Sequence, residues 1–263
     1  MSSKQAQPLA NNVAIVTGGS RGIGAAIALE LGKRGANVTI TYVSEKSKDL
    51  AKKVVDSIND LDNEGRAIAV QADVSSTESP KIVVEATIAA FGKHIDILVN
   101  NAGVTSKLSL SQITPDDFQE IININLRGPL FMTQAVLPFL RRPGRIINIT
   151  SVAARQGYAS ASLYLASKTG LEGLTRALAA ELGPAGHTVN TVEPGATETD
   201  MAVDSGNSEA HKDYVKMIVS MTPFENRIGK PEDVASVVAM LAEPQARWVT
   251  GQTISASGGF SML

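Results

Sequence analysis

Tyr164 and Lys168 stand four residues apart. That spacing puts two side chains on one face of a helix, one turn from each other. An ammonium close to a phenol favours the phenolate, lowering the pKa of a group that otherwise titrates near ~10. A tyrosine tuned in this way can trade a proton with an alcohol or a ketone near neutral pH. Alone, Y-x-x-x-K turns up by chance on many helices, as a surface lysine beside a half-buried tyrosine. The rest of the chain must supply the elements that position the pair and a partner for it.

A second pattern points to such a partner. Thr17-Gly18-Gly19-Ser20-Arg21-Gly22-Ile23-Gly24 lies between a short apolar run and a helical pattern. In that context glycines allow a tight turn and close backbone approach, and the helix start offers N–H groups and a positive dipole end to a pyrophosphate. The spacing T-G-x-x-x-G-x-G is longer than the common dinucleotide fingerprint. About twenty residues further on, an NAD site usually places an acid for the ribose 2′-hydroxyl. Here Thr41-Tyr42-Val43-Ser44 holds no acid. Arg21 in the loop and the Ser44 hydroxyl suit a 2′-phosphate, which favours NADP over NAD. Glu45 is discordant, because an acid repels a phosphate; Lys46 and Lys48 offset it. Asp73 can accept a hydrogen bond from an adenine amino group, or can serve as a turn or cap residue. Asn100-Asn101-Ala102-Gly103 can bond backbone and hold its loop near the cofactor, or form a simple Asx-turn.

The elements that position these groups alternate along the chain. Strands are predicted at Asn12–Thr17, Asn37–Tyr42, Arg66–Ala72, Ile95–Val99, Arg145–Thr150, Thr188–Val192 and Gly251–Ser255. Helices run from the glycine cluster to Gly35, from Lys46 to Leu61, and from the Ser75 to Ser79 region to Phe91. Another opens at Thr114-Pro115, with threonine as N-cap and proline in the first turn. The Tyr164 helix closes at Gly183-Pro184, and a last helix begins at Pro231. Residues 197–222 read as polar and only partly helical. Strand and helix alternation without a linker predicts one doubly wound α/β domain with a parallel sheet, over residues 12–263. Residues 1–11 read as a disordered lead-in.

Composition narrows the classes. The chain has 263 residues, 43% hydrophobic, a net charge of -2, no cysteine and three histidines. That is ample for a buried core. No charged block suggests nucleic acid or a membrane surface, and no apolar run approaches the roughly 18 residues of a spanning helix. The absence of cysteine excludes disulfides and suits a reducing, cytoplasmic home. His94, His187 and His211 lack ligand spacing, so no metal site is expected.

Together, the T-G-x-x-x-G-x-G loop, Asp73-Val74, N-N-A-G at 100–103, Asn125, Ser151, Tyr164-x-x-x-Lys168 and Pro194-Gly195 resemble the short-chain dehydrogenase/reductase superfamily, in its compact single-domain branch. The resemblance covers about residues 12–259. It implies a Rossmann-like fold and a catalytic tetrad of Asn125, Ser151, Tyr164 and Lys168. Tyr164 would give a proton to a carbonyl oxygen that Ser151 polarises. Lys168 would lower the tyrosine pKa and bind the nicotinamide ribose, and Asn125 would hold a relay water. The implied NADP(H) contacts are Gly18, Ser20, Arg21, Gly22, Ile23 and Gly24 in the first loop, with Tyr42 and Ser44 at the ribose corner. Asp73, Val74, Asn101, Ala102 and Gly103 follow at the adenine side and cleft floor, then Tyr164 and Lys168. Pro194, Gly195 and Thr197 would border the nicotinamide.

The implied activity is reversible reduction of a small-molecule ketone to a secondary alcohol. The chain resembles 3-oxoacyl-carrier-protein reductases and aromatic polyketide (naphthol-type) reductases about equally; no basic patch for an acidic carrier is evident. A non-catalytic nucleotide-binding relative, or an epimerase or dehydratase on the same frame, are the other readings. The intact Ser151, Tyr164 and Lys168 argue against the first and the short chain against the second. The resemblance also implies a homotetramer or homodimer, with Trp248 to Gly251 near one contact. Met201, Tyr214, Met217, Ile218, Met221 and Phe224 suggest an apolar lid over the substrate, spanning about residues 197–222. Two departures stand out: Ser257 replaces the usual aspartate before Gly258-Gly259, and Glu193 precedes Pro194 without an evident reason.

Overall fold

The computed structural model describes residues 7–199 and 209–262, without the side chains of 209–212 and 214. Its centre is a seven-stranded parallel sheet, ordered β3-β2-β1-β4-β5-β6-β7. The strands are β1 (Val13–Val16), β2 (Asn37–Tyr42), β3 (Ala67–Gln71), β4 (Ile95–Asn100), β5 (Leu140–Ile149), β6 (Thr188–Pro194) and β7 (Thr253–Ala256). The helices are α1 (Gly22–Lys33), α2 (Lys48–Asn59), α3 (Ser79–Phe91), α4 (Pro115–Ile122), α5 (Gly128–Val136), α6 (Ser162–Leu182), α7 (Glu209–Met221) and α8 (Pro231–Ala242).

Alternation along each strand sends neighbours to opposite faces. On β1, Ala14 and Val16 join Ile27, Leu31, Ile58, Val234 and Val238 from α1, α2 and α8. Ile15 turns the other way, to Val83, Val84, Met132, Val136 and Leu182 from α3, α5 and α6. β1, β4 and most of β5 are buried throughout. That is why they read as continuous apolar runs. Each fully buried Ile or Leu contributes about 1.5–3 kcal/mol through burial.

The strand order reverses between β1 and β4, so the loops leaving their carboxyl ends diverge and open a crevice. The glycine cluster follows β1, and Asn101-Ala102-Gly103 follows β4.

Three expectations need correction. Residues 1–6 lie outside the described residues, but 7–11 are not a loose lead-in. Leu9 is fully buried in the core of the α1 face, and its N–H donates to the Arg34 carbonyl at 3.0 Å. One apolar side chain among polar neighbours carries too little periodicity to reveal a docking point. β5 begins at Leu140 rather than Arg145, because the polar stretch Arg141 to Gly144 continues the strand past the apolar run. The helix opened at Thr114 is in fact two, separated by π-type turns over Asn123–Arg127. Thr114 caps it as expected, accepting from the Asp117 N–H at 3.2 Å, while Asp117 reaches back to the Thr114 N–H at 2.8 Å.

Candidate active site

The nucleotide end is built from neutral hydrogen bonds. Thr17 Oγ1 accepts from the backbone N–H groups of Asn101 and Ala102, both at 3.0 Å. Asn101 Nδ2 donates to the carbonyls of Thr17 at 2.9 Å and Gly18 at 3.1 Å. The loops after β1 and β4 are therefore stapled side by side. The loop is tied to β2 as well: Gly18 N–H donates to Thr41 Oγ1 at 3.0 Å, and Gly19 N–H to the Thr41 carbonyl at 2.9 Å. Gly18 and Gly22 have φ of +64° and +55°, in the left-handed region that favours glycine. At Gly24 a Cβ would lie 2.2 Å from the Gly18 carbonyl oxygen and 2.5 Å from Asn101 Nδ2. No other residue fits there.

Arg21 and Ser44 are exposed, and Ser44 Oγ lies 3.3 Å from Ser47 Oγ. Glu45 is paired with Lys48 at 2.7 Å on the outer surface. Tyr42 is part of the buried core and Ile23 packs against it. Asp73 Oδ1 accepts from the Ser75 N–H at 2.9 Å and the Ser75 hydroxyl at 2.8 Å, so the turn reading is realised. Val74 is buried beside Gly128, where a Cβ would meet the Val74 carbonyl at 3.0 Å.

Ser151 leaves the end of β5, and its Oγ accepts from the Ala153 N–H at 3.2 Å. The Tyr164 hydroxyl, carried in from α6, lies near enough to Ser151 for that hydroxyl to pull its pKa down. Lys168, one turn on, is 4% exposed, and its Nζ donates to the Ile149 carbonyl at 3.0 Å. Its ammonium stands 5.9 Å from the centre of the Tyr164 ring. A Cβ on Gly103 would come within 3.1 Å of Lys168 Nζ and 3.3 Å of Asn125 Oδ1. Gly103 is thus the gap that lets both groups approach the cleft floor. Asn125, fully buried, donates to the Val104 carbonyl at 2.9 Å and to Ser167 Oγ at 3.0 Å, and accepts from the Val104 N–H at 2.9 Å. Both amide hydrogens are therefore in use, and one Oδ1 lone pair is left over. The side chain clamps the loop after β4 to α6.

The electrostatics differ from the expected acidified phenol. Burial pushes the Tyr164 pKa above its ordinary value, and only the Ser151 hydrogen bond pulls it down. Burial also lowers Lys168 to about 8. The ammonium is aimed at a backbone carbonyl rather than at the phenol oxygen, so the i,i+4 spacing alone overstated their coupling. The protein by itself holds a neutral phenol beside a lysine that is easily deprotonated.

Beyond β6, the Gly195 N–H donates to the Ala256 carbonyl at 3.0 Å. A Cβ on Gly195 would lie 2.9 Å from Ser257 Cα. Ser257 thus packs under this turn, while its Oγ accepts from the Ser261 N–H at 3.2 Å. Thr197 is buried and donates to the Gly195 carbonyl at 2.9 Å. In the segment expected as a lid, Met201 lies outside the described residues, as do the side chains of Tyr214 and His211. Met217, Met221 and Phe224 are exposed, whereas Ile218 is buried. His187 is structural, its Nδ1 accepting from the Gly144 N–H at 3.0 Å.

Sequence reasoning missed two residues and left one unexplained. Glu193 is fully buried, and Arg155 Nε donates to its Oε1 at 2.8 Å. Glu172, one turn beyond Lys168 on α6, is 5% exposed and lies within hydrogen-bonding reach of Glu193. The available signal was the acid itself, placed within a strand otherwise rich in Thr and Val.

The glycine cradle fits a dinucleotide. The start of α1 carries no side-chain cap and no acid in its first turn, so its N–H groups and positive end face the crevice. Gly18, Gly22 and Gly24 keep Cβ atoms out of it.

Comparison with known proteins agrees. A family model described as enoyl-(acyl carrier protein) reductase matches residues 18–261. The chain is similar to the dehydrogenase OXI1 of Cochliobolus heterostrophus, 51% identical over 86% of this chain and 97% of that one. It is similar to the hydroxynaphthalene reductase arp2 of Aspergillus fumigatus, 37% identical over 94% of this chain and 92% of that one. Among solved structures, a short chain dehydrogenase from Burkholderia cenocepacia J2315 in complex with NADP superposes with a TM-score of 0.88. It is 42% identical and covers 96% of this chain and 99% of its own. The parallel sheet, the stapled glycine loop and the Ser151–Tyr164–Lys168 cluster therefore belong together: the chain is an oxidoreductase of the short-chain dehydrogenase/reductase family.

Proposed function

We propose that this protein is an NADPH-dependent ketoreductase that reduces a small, free ketone to a secondary alcohol. The observation that carries the reading is the nearness of the Ser151 and Tyr164 side chains, set beside the buried Lys168 ammonium at the mouth of a glycine-lined crevice. When bound, the dinucleotide supplies the hydride. Arg21 and Ser44 would hold its 2′-phosphate, and Gly18 to Gly24 with the start of α1 its pyrophosphate. Pro194, Gly195 and Thr197 would flank its nicotinamide.

The chain's own residues handle the proton. Ser151 Oγ orients the carbonyl oxygen, and Tyr164 gives its proton to that oxygen as charge develops. The raised Tyr164 pKa suits this role, because a neutral phenol is the form that can donate. Lys168, poised at about 8, then stabilises the resulting phenolate and returns a proton to it. The single remaining lone pair of Asn125 Oδ1 faces the same gap at Gly103 and can anchor a relay water.

The similarity to a hydroxynaphthalene reductase and the apolar surface of Met217, Met221 and Phe224 support an apolar cyclic or aromatic substrate. Trp248 is 95% exposed, and Phe118 and Phe131 are also uncovered; these faces support a homotetramer or homodimer, checked by mass in solution.

The deciding experiment is NADPH consumption across a panel of cyclic, aromatic and β-keto carbonyls. Turnover of at least one cyclic or aromatic ketone is expected, and turnover of none would overturn the reading.

A further inference from the structure

The mechanism leaves a cluster of ionisable groups unused: buried Glu172 and Glu193 with the partly exposed Arg155. They come from three separate elements, and each element also carries part of the reactive machinery. Arg155 ends the short 3-10 turn Val152–Arg155, which follows Ser151 directly. Glu172 lies one turn beyond Lys168 on the inward face of α6. Glu193 is the β6 residue immediately before Pro194-Gly195, and it faces α6 in the same way as Thr191, whose hydroxyl donates to Thr175 on that helix at 2.9 Å.

The hydrogen-bond count at this cluster does not close with ionised side chains. Arg155 Nε satisfies Glu193 Oε1 at 2.8 Å. Glu193 Oε2 and Glu172 Oε1 are both buried and have no hydrogen-bond partner. Two carboxylates are acceptors only, and two buried acceptors in mutual reach cannot satisfy each other. One proton placed between them converts one carboxylate into a donor and closes the count.

We infer that Glu172 and Glu193 share a single proton, and that this acid pair, gripped by Arg155, is a positioning latch joining the Ser151 turn, the Tyr164–Lys168 helix and the Pro194–Gly195 turn. The shared proton follows from the two partnerless buried oxygens and the nearness of the two side chains; the positioning role rests on the ketoreductase reading. Losing the proton leaves two adjacent negative charges of which only Glu193 is paired, with Arg155. The carboxylates must then separate, and whatever moves carries Lys168 on one side or the nicotinamide shelf on the other.

The charged groups facing Glu172 are Glu193 from β6, Arg155 from the turn after Ser151, and Arg176 from its own helix. The β7 residue registered with Glu193 is the uncharged Ser255. Burial and the second carboxyl push Glu172 up to about 7, against the pull of the two arginines. The latch therefore opens near neutral pH. A free glutamate ionises near 4.5. Between there and about 7 the unfolded chain has already lost the proton that the folded pair retains. The unfolded state binds fewer protons in that window, so stability falls as pH rises through it.

The test uses the intact protein with Glu172→Gln, whose amide donates permanently to Glu193, and with Glu193→Gln. Selective ¹³C labelling of glutamate carboxyls should reveal one group titrating near neutrality, absent from either variant. Wild-type melting temperature should fall relative to Glu172→Gln between pH 4.5 and 7. NADPH affinity should weaken from pH 6 to pH 8 by about fivefold more in wild type than in Glu172→Gln, the lower end of ordinary coupling between sites. If every glutamate titrates in the ordinary carboxylate range, the shared proton is refuted. Matching melting curves of wild type and variant across the window would refute it too. If the titration is present but NADPH affinity responds identically in both proteins, the positioning role is refuted. Should neither variant fold, the wild-type carboxyl titration still decides. If NADPH fails to bind at all, the functional reading fails, while the carboxyl and melting results continue to judge the proton.

Discussion

The two halves of the cleft are held by different physics. On the β1–β4 side, loops are fastened by neutral donors and acceptors: Thr17, Thr41 and Asn101 meet backbone groups at 2.9–3.1 Å. On the β5–β6 side, the same sheet buries Lys168, Glu172 and Glu193, and leaves two carboxylate oxygens without partners. The contrast shows a division of labour. A dinucleotide carries its charge into the cleft and needs only a fixed mould, which amides provide at any pH. Proton transfer needs groups near their titration points, and such groups exist only where burial is costly.

That contrast can be broken from either side. The largest effect is expected from Tyr164→Phe, which removes the donor while keeping the ring. Turnover of whichever ketone the wild type reduces should fall by about 10²–10⁴-fold, with NADPH affinity by fluorescence titration nearly unchanged. Retained turnover would strip Tyr164 of its role.

Next comes Lys168→Met. The folded lysine has a pKa of about 8 against an ordinary 10.5. Between those values the unfolded chain binds more protons, so wild-type stability should rise with pH. The gain should reach about 3 kcal/mol, and the methionine variant should lack it. Denaturant melts at pH 8 and pH 10.5 measure it; equal slopes would show that the lysine is not held as described. The sign is opposite to that expected for Glu172, because one buried group loses a positive charge and the other gains a negative one.

On the mould side, Asn101→Ala should cost about 1–3 kcal/mol by leaving the Thr17 and Gly18 carbonyls short of a donor. The loss should be flat with pH, since no titrating group is involved. A pH-dependent loss would undo the comparison. Smallest is Arg21→Ala, which should narrow the NADPH-over-NADH affinity gap by about tenfold, or about 1.4 kcal/mol. An unchanged ratio would move the 2′-phosphate contact elsewhere.

What could be read from residue order follows the same division. The mould depends on local backbone geometry, so Gly18, Gly22, Gly24 and the Asn100-Asn101-Ala102-Gly103 run were visible as spacing between a strand and a helix. Tyr164 and Lys168 were visible too, because helix periodicity brings them to one face. Their electrostatics were not. The ammonium is drawn to the Ile149 carbonyl, and that contact exists only once α6 lies across β5. Glu193 and Glu172 are 21 positions apart, and no local pattern joins them. They meet because the β6 register turns residues 191 and 193 toward α6. Leu9 was lost for a similar reason: a single anchor has no period.

The broad turns at Asn123–Arg127 carry a consequence for how this protein tolerates changes of length. A helix wound wide for one stretch holds a surplus residue relative to a regular rod. Excising one codon there would let α4 run straight into α5 as a regular rod, with α5 keeping its face and only the residues of the wide stretch shifted. Asn125 would swing off Val104 and away from the gap at Gly103, while the sheet stayed whole. Loss of one amino acid would thus undo the Asn125 clamp and spare the scaffold.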